Sequence, residues 1–95
     1  MVDPDAVEEF ANAWCEQDRS CERVGAGRQH AAFFDCVAER RDAVRTDLQA
    51  LGCSRGIVAT QARKCADELE QVDCANPTAS LLSLAQCQSE ILCAK

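Results

Sequence analysis

The eight cysteines of this 95-residue chain are its side chains with the most chemistry to offer: Cys15, Cys21, Cys36, Cys53, Cys65, Cys74, Cys87 and Cys93. A thiol can ligate a metal, exchange electrons, attack a substrate or close a structural bridge, and spacing separates these uses. Zinc fingers and ribbons draw on close pairs such as CxxC, because two thiolates must reach one ion from a tight turn. No two cysteines here lie closer than six positions, and His30 is the sole histidine, so neither a metal centre nor a redox CxxC pair is expected. An even number of widely spread cysteines in so short a chain reads instead as a disulfide framework formed in an oxidising compartment.

With every thiol bonded, nucleophilic catalysis would need another nucleophile beside a base. His30 is the one candidate base, and its place by a turn predicts a solvated loop residue. Ser20, Ser54, Ser80, Ser83 and Ser89 share no motif. The carboxylate pairs Glu8-Glu9 and Asp67-Glu68 sit in helical patterns near basic residues, without the glycine turn of a calcium loop. No catalytic residue, cofactor or metal is therefore expected. The net charge of −6 argues against nucleic acid, whose phosphates demand a basic surface. Arg40, Arg41 and Arg45 alternate with Glu39, Asp42 and Asp47, the pattern of a mixed-charge, solvated helix face. No apolar run is long enough to span a membrane. The redox chemistry implies a secreted, periplasmic or outer-membrane-anchored protein whose export signal lies outside this chain.

The elements that position the cysteines are helical. Four segments show a period of three to four residues, and none alternates like a strand. The first runs from about Asp5 to Val24, with Asp3 as cap and Pro4 as first helical residue. Val7, Phe10, Ala11, Trp14, Cys15 and Cys21 line one stripe that Asp18 interrupts. The second runs from about His30 to Leu51, with Arg41 as the polar intruder and Gly52 as terminator. The third spans roughly Ile57 to Val72, with Ser54 and Thr60 as alternative caps. The fourth begins at Asn76-Pro77 and carries Leu81, Leu84, Ala85, Gln88 and Leu92. Residues 1–95 make one domain, an all-α up-down four-helix bundle of two hairpins with short connections.

Eight cysteines allow 105 pairings, and bundle geometry narrows them. Folding the first hairpin about Gly25-Ala26-Gly27 sets Cys15 opposite Cys36, and folding the second sets Cys65 opposite Cys87. Cys21 and Cys74 then share the end with the hairpin turns, and Cys53 and Cys93 share the other. The expected bridges are Cys15–Cys36, Cys65–Cys87, Cys21–Cys74 and Cys53–Cys93.

Large side chains are scarce. Phe10, Trp14, Phe33 and Phe34 are the only aromatics, all in the first hairpin, and they are expected to form the main core cluster against the Cys15–Cys36 bridge. Adjacent helical residues point about 100° apart, so Phe33 and Phe34 cannot both face the same core. One of them is the candidate contact for a partner, since exposed aromatics are favoured at binding hot spots.

The run from Cys15 through Cys21 to Arg28 resembles the opening of an uncharacterised family of bacterial cysteine-rich lipoproteins, some of them annotated with natural-product biosynthesis. Asp35-Cys36-Val37, Cys53 with Gly56-Ile57, Asp73-Cys74-Ala75-Asn76-Pro77, Leu84-Ala85-Gln86-Cys87 and Leu92-Cys93 extend the similarity over about residues 14–93. Members often carry a serine where this chain has Ala32-Phe33-Phe34, and the lipid-attachment cysteine of a full-length member is missing here. The resemblance implies export to the periplasm or outer-membrane surface, with a lipid anchor in the full-length protein, and it assigns no catalytic residues. The expected function is an exported, non-enzymatic structural or interaction module of the cell envelope with a protein or envelope partner. The alternative is a carrier of lipids or small molecules: plant lipid-transfer proteins share the four helices and eight cysteines, though not the adjacent CC and CxC elements.

Overall fold

The computed structural model describes residues 3–95. It is a small helical bundle stapled by four disulfides. Helix α1 runs Pro4–Ser20, α2 Phe33–Leu51 and α3 Ala59–Glu70, followed by two 3-10 turns at Leu81–Ser83 and Ala85–Cys87 and a single-turn α4 at Ser89–Leu92. The bridges are Cys15–Cys36, Cys21–Cys74, Cys53–Cys93 and Cys65–Cys87, the four pairs that the hairpin geometry predicts, and no cysteine is free.

α1 is the central helix. Asp3 caps it by accepting from the Asp5 amide at 2.9 Å, and Pro4 fills the first turn. Its buried residues include Ala6, Val7, Phe10, Ala11, Ala13, Trp14 and Cys15, a band too wide for one neighbour. Both α2 and α3 pack against it. Phe10, Trp14, Val44, Leu48, Leu69, Leu81 and Leu92 form the larger core with the Cys65–Cys87 bridge. Ala11, Val37 and the Cys15–Cys36 bridge form a smaller one, with Val24 and Phe33 packed against it. The aromatics are thus split rather than clustered on Cys15–Cys36 as expected. Phe10 and Trp14 lie a step of about 100° round the helix from Ala11 and Cys15 and so enter the other cluster. Replacing Asp3 by alanine removes the cap and is expected to cost about 1 kcal/mol, read as a melting temperature lower by about 4–8 °C.

Three boundaries differ from the expected ones for local reasons. α1 ends at Ser20 because Glu22 turns left-handed (φ 60°), with Arg23 donating its amide to Asp18 O at 2.8 Å. α2 starts at Phe33 rather than His30, because His30 is held against the preceding loop: its amide meets Arg23 O at 2.9 Å and its carbonyl takes the Gly25 amide at 2.8 Å. Neither Ser54 nor Thr60 caps α3. Its start is set instead by a short antiparallel pairing with the C-terminal arm, Val58 N to Leu92 O at 2.9 Å and Ala94 N to Gly56 O at 2.9 Å. At α2's other end Gly52 takes the left-handed conformation (φ 66°) that terminates a helix.

The fourth helical segment is the largest departure. Asn76 closes a turn on Asp73 instead of capping a helix, and the chain is extended at Leu84 and Gln88. Side chains satisfy the backbone groups that helical bonds would otherwise use. The Leu81 amide donates to Asp47 at 3.0 Å, and the Gln86 amide to Glu68 at 2.7 Å. Gln88 donates to Leu82 O and Leu84 O. Leu81, Leu84, Cys87 and Leu92 remain buried while Ala85 is exposed, so the apolar stripe keeps its anchors without its helix.

Candidate functional site

Where α1 ends and α2 begins, the structure collects the chain's buried charges. Asp18, the interruption in α1's apolar stripe, is fully buried. Arg40 grips it with Nε to Oδ2 at 3.0 Å and Nη2 to Oδ1 at 3.2 Å, and Arg23 Nη1 reaches Oδ1 at 3.2 Å. Two forked cations on one carboxylate offset the cost of removing that charge from water. Arg40 also lies over the Trp14 ring, 4.4 Å from its centroid, which gives the guanidinium an apolar face as well as a charged edge. Arg23 continues outward to Gln17 Oε1 at 3.1 Å and Cys74 O at 2.9 Å, while Gln17 Nε2 donates to Val72 O at 3.0 Å. The cluster therefore ties the loop after α1 to the segment after α3, beside the Cys21–Cys74 bridge.

His30 belongs to this cluster and is not the solvated loop residue its position predicts: it is 2% exposed. Its backbone pairing with Arg23 and Gly25 turns the ring inward. Nε2 stands 3.6 Å from Asp18 Oδ2 and Nδ1 2.7 Å from Glu39 Oε2. The Glu39 oxygen lies off the N–H direction, so neither ring nitrogen makes an aligned hydrogen bond. A histidine beside an aspartate is a familiar base arrangement, but here both partners are sealed from solvent. The nearest sulfur, Cys36 Sγ at 3.3 Å from Asp18 Oδ2, is bonded to Cys15 and has neither a proton nor a thiolate to offer. For the same reason Cys15, Asp18 and Cys36, whose ligand atoms lie within 4.8 Å of one another, hold no thiolate for a metal, and the carboxylate already serves two arginines.

Above this cluster sit the two candidate contact residues. Phe33 is half-buried against the smaller core, with Arg19 over its ring at 4.7 Å. Phe34 is 77% exposed, and Ala31 and Ala32 beside it are exposed too. The structure thus divides the pair as helix geometry requires. No side chain caps α2 at Ala32, so this first turn is left to the aromatic and its alanine neighbours. Arg41, the polar intruder of the α2 stripe, reaches along α1 to Glu8, whose hydrogen-bonded carboxylate raises the guanidinium pKa above its usual value. It is Arg40, one position earlier, that turns inward. The buried cluster was signalled in the sequence only by Asp18 falling on an apolar stripe.

At the opposite end of the bundle, α1's first turn, the end of α2 and the loop before α3 enclose a partly open hollow of about 560 Å³ lined by Pro4, Leu48, Gly52, Cys53 and Ile57. No helix among the described residues is long and apolar enough to cross a membrane.

A helical bundle this small, closed by four disulfides with no thiol left over, is the class of protein that matures in an oxidising, extracytoplasmic environment. The chain belongs to the family of unknown function DUF6184, whose model matches residues 15–95. Comparison with curated proteins gives no match. Comparison with solved structures also gives none.

Proposed function

We propose that this chain is an exported, non-enzymatic interaction module of the bacterial cell envelope, with Phe34 as its principal contact. One observation carries the reading: a large aromatic ring stands 77% exposed on the first turn of a helix that the Cys15–Cys36 bridge and a buried charge cluster tie to α1. A rigid platform loses little conformational entropy on binding, and an aromatic anchor supplies large contact area with few rotors. The net charge of −6 favours a partner that is not polyanionic. The similarity to cysteine-rich lipoproteins supports a site of action in the periplasm or at the outer membrane, with tethering through a lipid carried outside this chain.

The test is a comparison of variants in pull-downs from native cell envelopes. Phe34→Ala is expected to leave stability within about 0.5 kcal/mol of the parent, since an exposed side chain is removed, while a specific partner is retained about tenfold less. Phe33→Ala is expected to cost more stability, because that ring packs on the Cys15–Cys36 cluster. Partner retention unchanged by Phe34→Ala would refute the assignment. The second reading, a small-molecule carrier, is favoured by the hollow at the far end of the bundle.

A further inference from the structure

The far end of the bundle has a chemistry of its own. The hollow of about 560 Å³ adjoins a second of about 370 Å³, and Asp3 and Ile57 line both. The two meet at these residues, and the groove is this pair of hollows around the start of α1. Its lining is apolar at Pro4, Leu48, Ile57, Ala59 and Ala62, with Gln49 and Ser54 as polar side chains beside them. Its lip is acidic: Asp3, Asp5 and Glu9. Arg63 is the cation on this lining among the described residues, and its Nε lies 3.6 Å from Glu9. The larger hollow falls within the range of about 300–1,000 Å³ typical of small-ligand sites, and an apolar floor with a few charged groups at the rim is the usual build of one. Phe34 is distant: the fourteen residues to Leu48 correspond to about 21 Å of helix.

From this apolar lining and acidic lip we propose that the groove binds a cationic amphiphile, an aliphatic chain carrying an amine or quaternary ammonium head. The chain lies along Leu48 and Ile57, and the head rests among Asp3, Asp5 and Glu9. An anionic head of the same chain length would face Asp3 and Asp5, with Glu9 shared with Arg63. The site deepens the carrier reading and is independent of the Phe34 contact, because it uses a different end of the bundle and different residues.

The probe is decyltrimethylammonium, below its micellar concentration, against decanoate on the full chain at low salt. Native mass spectrometry is expected to show one cationic amphiphile per chain, and titration calorimetry an affinity about tenfold tighter than for decanoate. The preference is expected to shrink at high salt, as exposed charges are screened. Two variants locate the site without breaking the fold. Asp3→Asn with Asp5→Asn and Glu9→Gln keeps a capping side chain at position 3 and is expected to abolish the preference for the cation. Gln49→Trp, at an exposed position on the rim, is expected to fill the mouth and remove binding of both probes. Equal affinity for decanoate, no one-to-one adduct, binding that survives Gln49→Trp, or a dimer in place of an adduct would each overturn the proposal. Phe34→Ala is expected to leave this binding unchanged.

Discussion

Replacing Asp18 by asparagine is expected to destabilise the protein by about 3 kcal/mol, although the two side chains have nearly the same shape. Asparagine would keep the volume between α1 and α2 filled, so no cavity opens. What it removes is the negative charge on which Arg23 and Arg40 converge, each with a side chain only 20% exposed. An arginine cannot shed its proton, so both guanidiniums must stay charged in their half-dry positions or pull out to water. Pulling out breaks further contacts: Arg40 leaves the Trp14 ring, and Arg23 drops Cys74 O and Gln17. His30 would then lie with Glu39 as its one carboxylate neighbour. Equilibrium unfolding in guanidinium chloride with all bridges intact measures the loss, and an unchanged m-value confirms that it comes from the native state. Arg40→Met is expected to cost less, because Arg23 still neutralises Asp18, and the double variant with Asp18→Asn should recover part of the loss. A loss below about 1 kcal/mol for Asp18→Asn would mean that water already solvates the arginines and that the cluster holds nothing together.

That cluster marks the limit of what the sequence made legible. The bridge pattern could be reasoned out because helical hairpins are stiff and their lengths place each cysteine at one end or the other. The stiffness does not depend on what the helices do in detail. The exposure of one of Phe33 and Phe34 followed from the same geometry, though which ring points out depends on where α2 begins. The buried charge cluster depends on tertiary contact alone. Arg40 and Arg41 are equivalent in a one-dimensional pattern, and only the register of α2 against α1 decides that Arg40 meets Asp18 while Arg41 meets Glu8. A turn residue such as His30 is usually wet, whereas here two backbone hydrogen bonds fold its ring inward. The C-terminal arm departs from its helical pattern for the opposite reason. Its leucines repeat at helical spacing, but Asp47, Glu68 and Gln88 supply competing partners for its backbone, and these are invisible from within the segment.

Under limiting reductant the two bridges that join distant parts of the chain are expected to open first, and the two that staple neighbouring segments last. Cys15, Cys36, Cys65 and Cys87 are 0% exposed, so no thiolate can approach their sulfurs along the bond without local unfolding. Cys74 is exposed, and Cys21, Cys53 and Cys93 are half-buried. Chemical access thus runs parallel to entropic value. Cys21–Cys74 and Cys53–Cys93 close the longest loops, with sequence separations of 53 and 40, and each contributes about 4 kcal/mol by restricting the unfolded chain. The buried pair, with separations of 21 and 22, contributes about 3 kcal/mol each. Mild reductant therefore attacks the most valuable bonds first. Alkylation of the partly reduced protein followed by peptide mapping is expected to give a species labelled at Cys21 and Cys74, then one labelled at Cys53 and Cys93 as well. Both should retain helical circular dichroism while melting far lower. Labels on Cys15 or Cys36 in the first species would show that the small core around them opens more readily than the surface bridges, and the rigid platform assumed for Phe34 would be lost. If the order holds, the groove at Cys53 and the aromatic end at Phe33 respond differently to reduction: the groove loses an adjoining bridge while Phe33 still packs on Cys15–Cys36.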